Sequence, residues 1–444
     1  MFHFPKNLYS DVRIETVFET QIRYLQGELE EIKTREINGV MIRIFDGKKW
    51  YYSSITEIDQ IQAELDKLAE FAVPDPDINS NQVVKKFEVN TGEYVNSFKN
   101  DVKNIPVGLK DNFLKRYFYL FKENKNIKLW RASYIDKNTE KKFFSSKGSN
   151  LKFTSQISGV NYHLKMSDGK SHFADKFSRC YNFFNDADLT KEIKDFIDEC
   201  DNFLKSANPV KPGKYTVVLS PQAAGIFAHE SFGHKSEADF MLGDEAMKNE
   251  WKIGKKVGAD ILTIVDEGGV FGSGYIPFDD EGTKTGKSFL IKNGTLAGRL
   301  HSAVTAAELD ERLTGNARAV NFEFEPIVRM TSTYILPGNL TEDEVFAGVK
   351  EGVFIKSVIH GSGLSTFTLA PALAYMIRDG KISEPVNISV ATGNVFETLG
   401  EIDGLSDKCE IISMSEGGCG KGEQWPLGVS FGGPYVRVKK LNIQ

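Results

Sequence analysis

Two imidazoles and a carboxylate crowd into one short fragment, His229-Glu230-Ser231-Phe232-Gly233-His234, in a chain of 444 residues that holds 7 histidines. Histidines ligate first-row metals, and a glutamate beside them can move a proton from a water molecule, so the fragment reads as part of a metal site built for hydrolysis. In the common zinc-protease helix the histidines stand four apart. Here they are five apart, and at 3.6 residues per turn that step swings the second side chain about 140° from the first. A regular α-helix therefore does not suffice. Gly233, directly before His234, points to a local widening of the helix or to a helix end, and either would turn the second imidazole back.

The preceding residues supply the element that carries the fragment. Tyr215-Thr216-Val217-Val218-Leu219 is a β-prone run, Ser220 is a good cap, and Pro221 suits the first helical turn. Ala223, Ala224, Ile226, Phe227 and Ala228 then form a largely apolar helix leading into His229. Polar groups at the inner end of such a segment are costly unless coordinated or paired. For a single histidine, a hydrogen-bonded core or surface role is the default. Two with a carboxylate argue against it.

Other candidate chemistry is weaker. Of four cysteines, Cys200 falls on the apolar stripe of a helix with Ile193, Phe196, Ile197, Phe203 and Leu204, whereas Cys180 and Cys409 have no supporting context. Cys419 lies in Gly417-Gly418-Cys419-Gly420-Lys421-Gly422, where glycines leave the thiol accessible as a ligand or as a nucleophile with His229 or His234 as its base. The run Gly282-Thr283-Lys284-Thr285-Gly286-Lys287-Ser288 imitates a phosphate-binding loop but is one residue short between its glycines and follows no buried strand. Asp279, Asp280 and Glu281 are expected to form a solvated turn rather than a calcium site or a support for a metal ligand. His163, His172, His301 and His360 have no comparable cluster around them and read as ordinary polar residues.

A chain of this length exceeds one ordinary core, and 41% hydrophobic residues suffice for two. A break is expected in Asn208-Pro209-Val210-Lys211-Pro212-Gly213, dividing an N-terminal domain, 1–208, from a C-terminal domain, 209–444. The fold class expected is α+β. The N-terminal domain is antiparallel sheet with helices: a strand from Val12, a hairpin at Asp46-Gly47, and a helix capped by Thr56 that buries Ile58, Ile61, Leu65, Leu68 and Ala72. A helical stretch around 109–121 follows, then strands around 127–134, 141–145 and 151–158. The C-terminal domain is expected to be mostly antiparallel or barrel-like sheet around the metal-site helix, with strands near 261–265, 289–291, 327–334 and 386–390 and a helix at 342–350. A net charge of -6 disfavours direct nucleic-acid binding, and no apolar run is long enough for a membrane span. With no signal-like N-terminal segment, a cytoplasmic protein is expected.

Taken in order, His229-Glu230-xxx-His234 with Glu237 and Asp239, Phe278-Asp279-Asp280-Glu281-Gly282, Thr314-Gly315-Asn316, Arg329-Met330-Thr331 and Cys419-Gly420-Lys421-Gly422 resemble the TldD branch of the TldD/PmbA family. Its members are metal-dependent peptidases first described as modulators of DNA gyrase. The resemblance implies one zinc ion per chain held by His229, His234 and Cys419, with Glu230 as the general base. It further implies flexible or unfolded peptides as substrates, and a homodimer or a heterodimer with a metal-free relative. The alternative is a non-catalytic peptide-binding or regulatory subunit of such a complex. Where the family usually has a glycine and paired basic residues, this chain has Ala317-Arg318-Ala319, which bears on substrate contacts in that loop. The first strand signal also follows almost directly on Met1, without the leading helical segment of longer relatives, so partner contacts there are expected to differ.

Overall fold

A computed structural model describes residues 2–96, 100–363 and 365–444. It is α+β, with antiparallel pairing dominant and a sheet curled into a half-barrel. One seven-stranded sheet is drawn wholly from residues before 182, in the order Trp50–Ile55, Glu28–Phe45, Tyr9–Leu25, Ile127–Ser145, Asn150–Ser167 and Thr91–Tyr94, with His172–Tyr181 also on Asn150–Ser167. Four of its strands are unusually long, at 17, 18, 19 and 18 residues. The first two are joined by a tight turn in which Gln26 and Gly27 both take positive φ, 56° and 90°, the twist that suits a two-residue hairpin.

The expected hairpin at Asp46-Gly47 is present, with Phe45 opposite Trp50. Its helix differs in one respect. The α-helix runs Ile61–Ala69 behind a 3₁₀ turn, Thr56 does not cap it, and Ile58 is exposed while Ile61, Leu65, Leu68 and Ala72 are buried. The helical stretch around 109–121 is two helices, Val107–Lys115 and Phe118–Glu123. The strands expected at 127–134 and 141–145 are one continuous strand, because the polar run between them faces other protein rather than bulk water. Thr190–Ser206 buries Ile193, Ile197, Cys200, Phe203 and Leu204, the stripe read from the sequence, with Phe196 packed at its margin.

From Asn208 onward the chain builds a ten-stranded and a six-stranded sheet with two small ribbons. Gly213–Leu219 is central in the larger sheet, parallel to Glu351–Ile355 and antiparallel to Val436–Ile443. It delivers the chain into the metal-site helix, Pro221–Ala228, whose Ala223, Ala224, Phe227 and Ala228 join the largest apolar core. The remaining expected strands form in part: Ile264–Glu267 and Lys381–Asn387 overlap 261–265 and 386–390 at two residues each, Lys287–Lys292 contains 289–291, and 327–334 is two short strands in different sheets, Ile327–Val328 and Ser332–Ile335. The helix Glu342–Ala347 is closed by a reciprocal Thr341 and Glu344 cap.

Asp279, Asp280 and Glu281 are not a solvated turn. All three are buried, and they join the later part of the chain to the long-stranded sheet. Arg43 bridges Asp11 at 2.7 Å and Glu281 at 3.1 Å, and Lys141 reaches Asp280 at 2.5 Å and Glu15 at 3.3 Å. Asp279 instead accepts backbone N–H groups of Glu281, Thr283 and Ala317. Cations oppose the effect of burial at Asp280 and Glu281, whereas burial and neighbouring Glu281 raise the Asp279 pKa and favour its neutral form despite those donors. The partners lie far away in sequence, so local polarity suggested exposure where the fold provides neutralisation.

Candidate metal centre

The α-helix ends at Ala228, and His229–Gly233 continue as a π-helical turn followed by the 3₁₀ turn His234–Ser236. The wider turn brings the two imidazoles, five residues apart, to a ring separation of 5.1 Å. Gly233 serves this turn differently from expectation. Its backbone is ordinary right-handed helix, φ -56° and ψ -52°, but a Cβ there would lie 2.0 Å from the Met330 sulfur. The missing side chain makes room for a packed methionine.

Cys419 arrives on a hairpin, Cys419–Lys421 paired with Gln424–Leu427. Gly418 precedes it because a Cβ would meet the Leu427 carbonyl oxygen at 2.4 Å. One ligand atom each from His229, His234 and Cys419 falls within a 4.8 Å set, with Cys419 Sγ 3.5 Å from His234 Nε2. His229 Nδ1 is buried with no hydrogen-bond partner among the described residues. Burial opposes ionisation of Cys419, yet His229 and His234 beside it hold the thiol down at about 5. Burial likewise opposes charge on His234, but Cys419 and Glu237 push its imidazole up to about 10. The neighbouring imidazoles thus favour the thiolate, the form in which a cysteine sulfur binds metal.

Residues whose part was not assigned from the sequence support this trio. Fully buried Glu237 faces His234 Nδ1 at 3.2 Å, fixing which ring nitrogen carries the proton and leaving Nε2 directed at the thiol. Lys421 neutralises Glu237 at 3.1 Å and donates to both Asp239 oxygens and to the Val328 carbonyl. The Arg329 guanidinium donates to the carbonyls of Cys419 at 2.8 Å and Gln424 at 3.2 Å, tying down the hairpin. Asn316 is also structural: it joins Asp266 to the Arg329 carbonyl. Arg318, in the altered loop, donates to the Met330 and Gly428 carbonyls. Glu237 three residues after a histidine, and lysine two after a cysteine, were the available signals.

Glu230 is half-buried, stands outside the three-ligand cluster and forms no side-chain hydrogen bond among the described residues. It lies against the strand Val358–Gly363, where a Cβ on Gly361 would come within 3.0 Å of Glu230 Cγ. Among the described residues that strand is the edge of the ten-stranded sheet and pairs on one side only, with Thr366–Pro371. Nearby, a cleft of about 840 Å³ opens between the long-stranded sheet and the later part of the chain, its walls including His163, Lys176, Gln222, Ile359 and Glu416. The phosphate-loop imitation splits between a turn and the strand Lys287–Lys292, without a helix after it. His163 pairs with Glu416 and buried His301 with Glu311, so neither joins the trio. Among the described residues no helix is long and apolar enough to cross a membrane.

Comparison with known proteins agrees with this arrangement. Residues 10–73 match the family model described as PmbA/TldA metallopeptidase domain 1, and residues 212–444 match the PmbA/TldA metallopeptidase C-terminal domain. A metalloprotease of Methanocaldococcus jannaschii is 30% identical, with 97% of this chain and 96% of the relative covered. A zinc metalloprotease TldD homolog of Saccharolobus solfataricus is 27% identical over 98% of this chain and 96% of its own. TldE from Thermococcus kodakarensis shares the fold at a TM-score of 0.76 and 15% identity, covering 98% of this chain and 96% of that one. With both segments matched and the first of these relatives aligned almost end to end, the chain belongs to the PmbA/TldA metallopeptidase family.

Proposed function

We propose that this chain is a zinc-dependent peptidase that hydrolyses flexible or unfolded peptides, with His229, His234 and Cys419 as ligands and Glu230 as general base. The observation that carries the reading is the convergence of three ligating side chains from two distant segments, with a carboxylate one residue away. The donor set fits zinc. Metal–nitrogen bonds of about 2.0–2.1 Å and metal–sulfur bonds of about 2.3 Å at a tetrahedral angle place nitrogen and sulfur roughly 3.5–3.6 Å apart. Cys419 Sγ and His234 Nε2 are 3.5 Å apart. The partnerless His229 ring nitrogen also suits an outside partner or water.

When bound, zinc supplies a Lewis acid that acidifies a coordinated water and polarises the scissile carbonyl. Glu230 would take a proton from the attacking water and return it to the leaving amine. Glu237 holds a proton at His234 Nδ1, so Nε2 is the nitrogen that would give up its proton on binding a metal. Burial opposes charge on Glu237, but the His234 hydrogen bond and then Lys421 hold its carboxyl below the ordinary value, and Arg329 holds the Cys419 backbone. The edge strand Val358–Gly363 supports an extended peptide laid alongside Glu230 by strand addition, which favours unfolded substrates.

The same reading includes one ion per chain, a dimer formed with itself or with a metal-free relative, a cytoplasmic setting, and a division into 1–208 and 209–444. Metal analysis of protein purified without added metal or chelator, together with peptide cleavage by the parent and by Glu230→Gln, tests it. Expected are about one zinc per chain and cleavage lost in a folded, metal-loaded variant. A metal-free protein, or unchanged cleavage in the variant, would refute it.

A further inference from the structure

Among the described residues, Lys137 on the inner face of the long-stranded sheet has no partner. Side chains alternate along a strand, so Ser133, Lys137 and Lys141 of Ile127–Ser145 point to the same face. Ser133 Oγ is 3.4 Å from a Glu416 oxygen, and Lys141 meets Asp280. Both therefore touch the later part of the chain, and Lys137 stands midway, about 13 Å from each. The segments reached by those two flanking contacts border the metal centre. Glu416 precedes Cys419 by three residues, and Asp280 accepts from the Ala319 N–H beside Arg318. Arg318 is close enough to repel Lys137 and to attract the Cys419 thiolate.

The carboxylates on this face are already engaged. Glu19, directly across from Lys137, is held by Arg35, and Glu15 by Arg13 at 2.9 Å and Lys141 at 3.3 Å. Ile157 lies opposite on the other side. Lys137 is half-buried, and among the described residues it has neither a hydrogen bond nor an ion pair. Burial pushes its ammonium pKa down, with Glu15 and Glu19 only partly compensating. A desolvated cation without a counterion is unfavourable in the free protein, and an incoming anion relieves it.

We propose that Lys137 is a specificity-determining residue that pairs with a carboxylate of the peptide bound at the metal centre. This rests on the peptidase reading. The carboxylate is an acidic side chain or the peptide's own C-terminus, and the two are separable. Zinc-loaded parent, Lys137→Met and Lys137→Arg are assayed on one peptide in four forms, with Glu or Gln at one position and a free or amidated C-terminus. The parent should favour the carboxylate forms through KM, Lys137→Met should reduce that KM selectivity about tenfold, and Lys137→Arg should keep most of it, as for one charge-assisted pair. Loss confined to the Glu/Gln comparison identifies a side chain; loss confined to the acid/amide comparison identifies the terminus. Equal effects of Lys137→Met on all four peptides, or none, would overturn the proposal. Should the parent cleave none of them, the peptidase reading fails, and fluorescence anisotropy of the four labelled peptides decides the role of Lys137. Carboxylate-dependent binding lost in Lys137→Met supports the pairing; binding indifferent to charge refutes it.

Discussion

Replacing Gly233 with alanine separates two explanations of why a glycine stands in the metal-site turn. If the residue were there for backbone freedom, alanine in this right-handed conformation would stabilise the helix by about 0.5–1 kcal/mol. The packing says otherwise. An added Cβ would lie 2.0 Å from the sulfur of Met330, which is fully buried and whose neighbour Arg329 holds the Cys419 carbonyl. Overpacking of one methyl costs roughly 1–3 kcal/mol, so the net change expected is a loss of about 1–2 kcal/mol after the helical gain. Movement of Met330 is transmitted through Arg329 to the cysteine hairpin, and zinc affinity should fall about tenfold, the equivalent of 1.4 kcal/mol. Denaturant unfolding of the metal-free protein and chelator competition on the loaded protein measure the two effects. Met330→Ala removes the obstacle, so adding Gly233→Ala to that background should cost nothing further. A Gly233→Ala protein as stable and as tightly metallated as the parent, or one equally damaged with Met330 shortened, would refute the packing argument.

Glu237→Gln keeps the shape but removes the charge facing His234 Nδ1, and should weaken zinc binding about 10–100-fold in a chelator titration; unchanged affinity would dismiss its orienting role. Cys419→Ser should leave metal occupancy well below one ion per chain by elemental analysis, whereas full occupancy would remove Cys419 from the ligand set. Arg43→Met strands Asp11 and Glu281 in the interior and should destabilise the fold by about 3–5 kcal/mol, seen as a lowered unfolding midpoint. Burial acts to raise the Asp280 pKa, but Lys141 and Arg13 outweigh it and hold the group at about 2, below its ordinary 3.8. A depressed carboxylate contributes stability above its unfolded pKa that is lost as pH falls from about 4 to about 2. The stability gap between the parent and Asp280→Asn should therefore close across that window, and a constant gap would contradict it.

The sequence was most readable where one local rule acted alone. The five-residue histidine spacing could not be satisfied by a regular helix, and a π-helical turn is what forms. Ser220 caps and Pro221 starts the helix as their chemistry requires. Cys419 was different: its glycines left ligand and nucleophile equally open, and only the family resemblance joined it to the histidines. Glu237 and Lys421 were visible as charges, but their burial depends on segments that meet only in three dimensions. The same limit explains Asp280 and Glu281, whose cations are Arg13, Arg43 and Lys141, and Asp279, whose donors include the distant Ala317 N–H. It also explains the apparent gap in Ile127–Ser145, where Asp136, Lys137 and Asn138 are strand residues, Asp136 and Asn138 buried and Lys137 half-buried.

His234 and Cys419 are separated by 185 positions in the chain. On the proposed ligand set, an ion held between them is a removable cross-link, and by the loop-closure relation it restricts an unfolded chain by roughly 5 kcal/mol. It also orders events during synthesis. A growing polypeptide that already displays His229, Glu230 and His234 still lacks its third ligand until residue 419 has been added. Hydrolytic competence is thereby withheld from partly made molecules, and a chain cut short before the hairpin would be an incomplete chelator rather than an unrestrained protease.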